Sequence, residues 1–326
     1  MTTQLNNAVL LLAVVAALLG VGMACGGGDD EVPNGSPAPP SALTGTAPPS
    51  AGPGGGQDLE AFVTSTDLSV GSQRFAFVLF EDGVPVSEDD VTVRFFKLKD
   101  ESNPQLVGEG TIPWSPLGIP GLTASTAELT GVYYANIEFD EAGKWGAGFT
   151  IGGPADPAKE VRVSFEVRPE PLTVGVGEPA IPVDNPTISD TGITQVCSAP
   201  EPNPAFHQVS IDEALRQGKP TVIAFTTPAF CTSRTCGPDM ELVNAAYEEF
   251  GDEVSWVHVE PFKLDLSGSL ITEGGERVNS DAGILWQLPS EPWIFVVDTS
   301  GTVVARLDGP VTLEELEHFL NQVTGG

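Results

Sequence analysis

The sequence has few cationic residues. Only 14 Lys and Arg residues stand against 45 Asp and Glu residues, which gives a formal net charge of −31. Binding to nucleic acid or to anionic lipid headgroups depends on Lys and Arg side chains that neutralise phosphates. The composition therefore excludes a general electrostatic fit to either partner. An acidic surface of this kind favours solubility.

Cysteine and histidine are also scarce, with 4 Cys and 3 His in the chain. Residues 58–170 contain neither, which disfavours a soft-metal site in that stretch. If Cys25 is modified as argued next, thiol chemistry is confined to Cys197, Cys231 and Cys236. No cofactor is expected.

A long apolar run is missing at the N-terminus. Residues 8–19, AVLLLAVVAALL, are too short to cross a bilayer comfortably and match the hydrophobic region of a signal peptide. Residues 21–25, VGMAC, resemble a bacterial lipobox, which implies a signal peptide over residues 1–25 and a lipid anchor on Cys25. A plain signal peptide and an uncleaved membrane helix are the alternatives. All three place the remaining chain outside the cytoplasm, where disulfide chemistry is permitted.

Composition divides the remaining chain into four stretches. Residues 26–57 are rich in Gly, Pro, Ser, Ala and Thr, which predicts a disordered tether. Residues 58–170 contain short strand patterns separated by turn signals, which predicts an all-β sandwich. Residues 171–204 form a Pro-rich linker, and residues 205–326 form a second domain that mixes strands and helices.

Hydrophobic alternation defines the strands of the first domain. Residues 161–168 alternate strictly, and residues 91–95 do so until Phe96 and Leu98 switch face, which predicts a bulge or a strand end. Residues 131–151, GVYYANIEFDEAGKWGAGFTI, resemble a Gly-x-Tyr…Gly-x-Trp hairpin of immunoglobulin-like domains in bacterial envelope proteins. The resemblance implies an immunoglobulin-like sandwich that serves as a spacer or a partner-docking module.

Residues 221–240, TVIAFTTPAFCTSRTCGPDM, carry the candidate chemistry. A buried strand is predicted at its start, and a helix is predicted to begin at Cys231. A thiol at a helix N-terminus is favoured as the thiolate, which is the nucleophilic form. Cys236 follows at C-x4-C spacing, where a second thiol can resolve a mixed disulfide or a sulfenic acid.

These residues, together with SEPWIFVVDTSGTVVARLDG at 290–309, resemble a thioredoxin-fold domain. The resemblance implies an α/β fold in which Cys231 is the attacking thiolate and Cys236 the resolving thiol. It also implies that Pro292 is a cis-proline that presents the substrate backbone. The family places a buried acid where this chain has Ala224, so Glu291 is the candidate substitute as proton acceptor.

Two other interpretations stay open for this domain. The C-x4-C spacing with Thr232 is similar to Q-type peroxiredoxins, which implies a thiol peroxidase, although Pro228 stands where that family has Thr. The Ala224 substitution and the atypical motif are compatible instead with a non-catalytic binding protein.

Four further residues have undecided roles. Cys197 is a free thiol, a second resolving cysteine or an intermolecular partner. Arg234 holds a thiolate or a peroxide oxygen, or is simply solvated. A minor interpretation is copper delivery, for which His258 or His318 would have to lie near the cysteine pair.

The sequence thus predicts a multidomain protein of the cell envelope, with an immunoglobulin-like sandwich at 58–170 followed by a thioredoxin-like α/β domain at 205–326. The expected activity is thiol–disulfide oxidoreduction on envelope proteins that carry thiols or disulfides. The catalytic residues would be Cys231, Cys236 and Pro292, with membrane attachment through Cys25.

Overall fold

An eight-stranded antiparallel sheet occupies the first half of the described chain. The structure is a computed structural model that describes residues 59–325 apart from 88–89, 101, 123–128, 153–157 and 234. The predicted tether at 26–57 and the lipid-anchor residue Cys25 lie outside the described residues. The strands are β1 (Leu59–Val63), β2 (Gly71–Glu81), β3 (Val84–Pro85), β4 (Asp90–Lys97), β5 (Gln105–Pro116), β6 (Gly131–Phe139), β7 (Gly143–Ile151) and β8 (Lys159–Val167).

A smaller, mixed sheet lies in the second half. Its strands are β9 (Thr221–Phe225), β10 (Ser255–Val259), β13 (Trp293–Val297) and β14 (Val303–Asp308), and a separate hairpin is formed by β11 (Thr272–Glu273) and β12 (Glu276–Arg277). The order of the sheet is β10-β9-β13-β14, with β9 and β10 parallel. The described helices are α1 (Ile193–Val196), α2 (Ile211–Arg216), α3 (Cys236–Phe250), α4 (Asp281–Leu285) and α5 (Leu313–Thr324). Within the described ranges, none of these helices has both the length and the apolar character that a membrane crossing requires.

Local sequence signals account for many of these elements. The register between β4 and β5 shifts between Phe95 and Phe96, which confirms the predicted bulge. Ser210 and Glu213 form a complete capping box at the start of α2. The side chain of Thr312 accepts a hydrogen bond from the N–H of Glu315 at the start of α5, because threonine at this position satisfies an otherwise unpaired helix donor.

The eight-stranded sheet is continuous because β5 pairs with two different neighbours. Its first part, to Pro113, pairs with β4, and its last part, from Trp114 to Pro116, pairs with β6. The ends of the sheet come together, since β1 lies against β8 and the bridge between Ser69 and Arg168 joins the segment after β1 to the end of β8. The result is a nearly closed, barrel-like sheet.

This arrangement differs from the predicted immunoglobulin-like sandwich. The sandwich required two separate sheets, whereas β5 joins the strands into one. Residues 131–151 do not form a hairpin either. Strands β6 and β7 are consecutive in the chain, but β5 and β4 lie between them in the sheet. Trp145 is buried in the core of this sheet, as expected, and its indole N–H donates to the carbonyl of Glu141 at 3.0 Å.

One apolar core spans both halves of the described chain. Ala76, Val78 and Val132 from the barrel-like sheet belong to the same buried cluster as Ile294 and Leu316 from the second half. All described residues accordingly fall in one compact unit. Burial of a shared apolar face is expected to make the two sheets fold together.

The predicted fold class is therefore wrong. The chain is mostly β, with a barrel-like sheet and five described helices, of which only α3 and α5 exceed six residues. It does not consist of an immunoglobulin-like sandwich followed by a thioredoxin-like α/β domain, and the family resemblance behind that prediction fails with it. The resemblance rested on two local segments, which do not determine how the sheets join.

Buried ion pairs connect the same two halves. The guanidinium of Arg74 on β2 binds both carboxylate oxygens of Glu315 on α5, at 2.7 and 2.9 Å, and donates to the carbonyl oxygens of Asp308 and Pro310. The side chains of Arg74 and Glu315 are only 7% and 8% exposed. A bidentate pair with two further hydrogen bonds to carbonyl oxygens is an arrangement that tolerates burial.

We expect Arg74→Met to lower the free energy of unfolding by about 3–5 kcal/mol, because it leaves the Glu315 carboxylate buried without its partner. Chemical denaturation measures this change. Arg94→Met is the matched control, since it removes an Arg–Glu pair that is 44% and 51% exposed and should change stability little. Equal effects of the two variants would contradict a joining role for Arg74.

Candidate functional site

Cys231 lies in the loop that connects β9 to α3. The prediction that the helix begins at Cys231 is wrong, because α3 begins at Cys236. The chain therefore leaves a buried central strand, crosses the loop and enters the helix with Cys236 in its first turn. Cys231 is half-buried, whereas Cys236 is fully buried.

Hydrogen bonds converge on the sulfur of Cys231. The backbone N–H of Cys236 donates to this sulfur at 3.4 Å, and the hydroxyl of Ser233 lies 3.2 Å from it. The thiol of Cys236, followed by the Ser233 hydroxyl and the backbone N–H groups of Cys236 and Thr235, lowers the pKa of Cys231 to about 5 against the opposing effect of burial. The thiolate is the dominant form at neutral pH.

The second cysteine has the opposite character. Burial, together with the neighbouring charge of Cys231, raises the pKa of the Cys236 thiol well above its usual value. Cys236 thus stays protonated, and its S–H donates a hydrogen bond to the sulfur of Cys231. Opposite shifts of this kind assign the nucleophile and the donor within a thiol pair.

Both thiols are free in this structure, as is Cys197. The expectation of a redox-active disulfide between Cys231 and Cys236 is therefore wrong for the state described here. The arrangement is that of a hydrogen-bonded thiolate and thiol.

Pro292 lies beside this pair. The peptide bond between Glu291 and Pro292 is cis, as predicted. The hydroxyl of Ser233 donates to the carbonyl oxygen of Glu291 at 3.3 Å and also contacts the sulfur of Cys231. Ser233 thus links the sulfur of Cys231 to the carbonyl of Glu291, the residue before Pro292.

Buried acids surround the thiolate. Burial, and next the charge of Cys231, raises the pKa of Glu291 to about 7, although Arg277 lies 3.3 Å from its carboxylate and opposes the shift. Burial likewise raises the pKa of Glu260, at the end of β10, to about 7. Of these two acids, the sequence identified Glu291 but not Glu260.

Asp239 is a third acid that sequence reasoning missed. It is fully buried in the first turn of α3, and burial raises its pKa well above the usual range. Its position three residues after Cys236 places it on the apolar face of α3, next to Met240. An acidic residue on the buried face of an otherwise amphipathic helix was the available signal.

The remaining candidate residues lie elsewhere. Cys25 and Arg234 lie outside the described residues. Cys197 is buried next to His207 and His258, and His318 is exposed on α5. The main groups that set the pKa of Cys231 do not include Cys197, His258 or His318.

A cleft of about 760 Å³ opens where the barrel-like sheet meets β14 and α5. Its lining includes Arg74, Trp293 and Arg306, but neither Cys231 nor Cys236. The thiol pair therefore does not lie at the base of this cleft.

The shifted pKa predicts the reactivity of Cys231. In the folded protein, alkylation by iodoacetamide should have a midpoint near pH 5, with a rate that is flat above about pH 6 and falls below it, because only the thiolate reacts. Ser233→Ala removes one of the hydrogen bonds and should move the midpoint upward. Mass spectrometry of the tagged peptide measures both. A midpoint near the ordinary thiol value of about 8.5 would contradict the hydrogen-bonded thiolate.

Comparisons with known proteins do not identify a family. No protein-family model matches the chain, and no curated protein matches it. One solved structure that matches is the crystal structure of a DUF4426 family protein from Pseudomonas aeruginosa PAO1, which is 16% identical. The match covers 35% of this chain and 89% of that chain, with a TM-score of 0.21. Similarity at that level supports no inference about the fold or the function of this protein.

Proposed function

We propose that the protein is an extracytoplasmic thiol–disulfide oxidoreductase that acts on envelope proteins through the thiolate of Cys231. The observation that carries this proposal is the hydrogen bonding of the Cys231 sulfur, which accepts from the backbone N–H of Cys236 at 3.4 Å and contacts the Ser233 hydroxyl at 3.2 Å, beside the buried Cys236; these contacts lower the pKa of Cys231 to about 5. A thiolate that is half-buried and held by hydrogen bonds is reactive without being fully solvated.

The proposed step is an exchange of sulfur bonds. The thiolate of Cys231 attacks one sulfur of a substrate disulfide, a mixed disulfide forms, and the other substrate sulfur leaves as a thiolate that takes up a proton. A second thiol must then release the substrate from Cys231. Cys236 is in hydrogen-bonding contact with Cys231, and its role as that resolving thiol stays a prediction.

The location and the partners rest on the sequence. The apolar run at 8–19 and the following Cys25 support export and lipid attachment. Export brings the site into a compartment in which partner proteins carry disulfides. The proposed substrates are therefore envelope proteins with thiols or disulfides, and the net charge of −31 disfavours nucleic acid as a partner.

Trapping of a mixed disulfide tests the proposed function. The full-length protein should form an adduct with a disulfide-containing peptide, observed by non-reducing electrophoresis and mass spectrometry. The adduct should disappear in Cys231→Ser, and in Cys236→Ser it should accumulate if Cys236 resolves it.

A displaced thiol provides the matched control for this experiment. Cys231→Ser combined with Ser267→Cys keeps the number of thiols but places one in an exposed turn, without the hydrogen bonds of the site. It should not restore adduct formation at neutral pH. Adduct formation that is insensitive to Cys231→Ser would overturn the proposal.

Rapid stoichiometric oxidation of Cys231 by hydrogen peroxide, without a reaction with the disulfide, would replace the proposed oxidoreductase by the peroxidase interpretation.

Glu291 is proposed as the proton acceptor of the resolving step, in which its carboxylate takes up the proton of the Cys236 thiol; the attack by Cys231 needs no acceptor because that sulfur is already a thiolate. Its pKa of about 7 predicts a rate of substrate release that rises as the carboxyl loses its proton through that pH. Glu291→Gln should remove this rise and lower the plateau by about 100-fold, in the usual range for general-base catalysis. Glu273→Gln, exposed on β11, is the control. An unchanged pH–rate profile in Glu291→Gln would assign the rise to another group. Glu260, which also faces the site, would then be the candidate.

A further inference from the structure

Three buried side chains with metal-binding chemistry meet in the second half of the chain. Cys197, His207 and His258 are all buried, and one ligand atom from each lies within 4.8 Å of the other two. The two imidazole rings are perpendicular, with their centroids 5.1 Å apart. The proposed oxidoreductase step uses none of the three.

Three separate segments of the chain supply these residues. Cys197 directly follows α1 in the Pro-rich segment, His207 ends the 3-10 turn Pro204–His207, and His258 is next to the last residue of β10. Their convergence is therefore a tertiary feature.

Each imidazole of the cluster has one nitrogen with unmet hydrogen-bonding capacity. Among the described residues, neither Nε2 of His207 nor Nδ1 of His258 has a hydrogen-bond partner, and both are buried. Burying a polar atom without a partner costs about 1–3 kcal/mol. Two such atoms next to a buried thiol point to a missing ligand.

The other nitrogen of His258 is held by the protein. Nε2 of His258 lies 3.0 Å from the carbonyl oxygen of Thr226 and 2.9 Å from its hydroxyl. A carbonyl oxygen only accepts, so Nε2 carries the hydrogen and Nδ1 presents its lone pair. A histidine whose second nitrogen donates to a backbone carbonyl is the usual arrangement of a metal ligand.

The thiol of Cys197 is the donor that must lose its proton on binding, because a neutral imidazole already presents a lone pair. Metal binding would form one metal–sulfur bond and release that proton to solvent.

We propose that Cys197, His207 and His258 form a binding site for a soft metal ion, either Cu(I) or Zn(II). Thiolate and imidazole donors select these ions over hard cations such as Mg²⁺ and Ca²⁺. Bond lengths of 2.0–2.3 Å require donors about 3.3–4.0 Å apart, which small side-chain movements reach from separations of up to 4.8 Å. Three donors complete a trigonal Cu(I) site, whereas Zn(II) takes a fourth ligand such as water.

A bound ion would link the Pro-rich segment, through Cys197, to strand β10 of the small sheet, through His258. Residues near Cys197 already contact this region, since the N–H of Ser198 donates to Glu260 at 2.6 Å and its hydroxyl accepts from the N–H of Ala229 at 3.1 Å. A bound ion would add a further link between Cys197 and β10. Because binding favours the folded state, the ion should also raise the thermal unfolding temperature.

The test is a metal titration of full-length protein carrying Cys25→Ala and Cys231→Ser, which removes two of the three other thiols and any dependence on the oxidoreductase activity; the third, Cys236, is fully buried. Cu(I) is titrated anaerobically against a chromophoric Cu(I) chelator, and Zn(II) against a zinc dye. We expect one equivalent of one of these ions to bind and to raise the unfolding temperature. Tight binding of Cu(I) alone or of Zn(II) alone would identify the ion, and binding of neither would overturn the proposal.

Variants locate the bound ion. Cys197→Ser, His207→Gln and His258→Gln should each weaken binding by more than about 100-fold, because loss of a ligand exceeds the 10–100-fold effect of an outer partner. Thr226→Val keeps all three ligands and should weaken it by about 10-fold. The exposed His318→Gln is the control and should have no effect. Circular dichroism establishes that each variant is folded.

A spectroscopic signature keeps the test independent of affinity. Cd(II) bound to Cys197 should produce a thiolate-to-metal charge-transfer band in the near ultraviolet, absent in Cys197→Ser but retained in His318→Gln. Unchanged affinity in Cys197→Ser, or a band that persists in that variant, would overturn the assignment of these ligands.

Discussion

The architecture depends on a buried core that the barrel-like sheet and the small sheet share, and the ion pair between Arg74 and Glu315 joins the two sides of that core. Strand β2 and helix α5 are separated by most of the chain, yet Arg74 reaches both Glu315 and the carbonyl oxygens just before α5. A charge pair is tolerated at this depth because the surrounding apolar core keeps both partners in place and the guanidinium makes four hydrogen bonds. The barrel-like sheet and the small sheet therefore form one cooperative structure.

That shared core also shapes the chemistry of the thiol site. Cys236 is buried because the start of α3 packs into the core, and its burial keeps its proton on sulfur. The half-buried Cys231 receives that hydrogen bond and becomes the thiolate. The raised pKa values of Glu260 and Glu291 have the same origin, since both carboxyl groups are removed from water near a negative sulfur.

Features that depend on neighbouring residues were predictable from sequence. The capping box at Ser210, the N-cap at Thr312 and the bulge after Phe95 each follow from interactions within a few residues. The sheet arrangement was not predictable in this way. Strand β5 reads as one strand, and nothing local indicates that its two parts pair with different neighbours.

The sequence by itself determined the pairing of a candidate nucleophile with a second thiol, the cis-proline next to them and the short strands of the first half. Only the tertiary structure decided that the two halves share one core, that α3 starts at Cys236 rather than at Cys231, and that Cys197 meets His207 and His258. The physical reason is that burial and long-range contact set these features. Desolvation determines which thiol is ionised, and chain folding determines which distant donors converge.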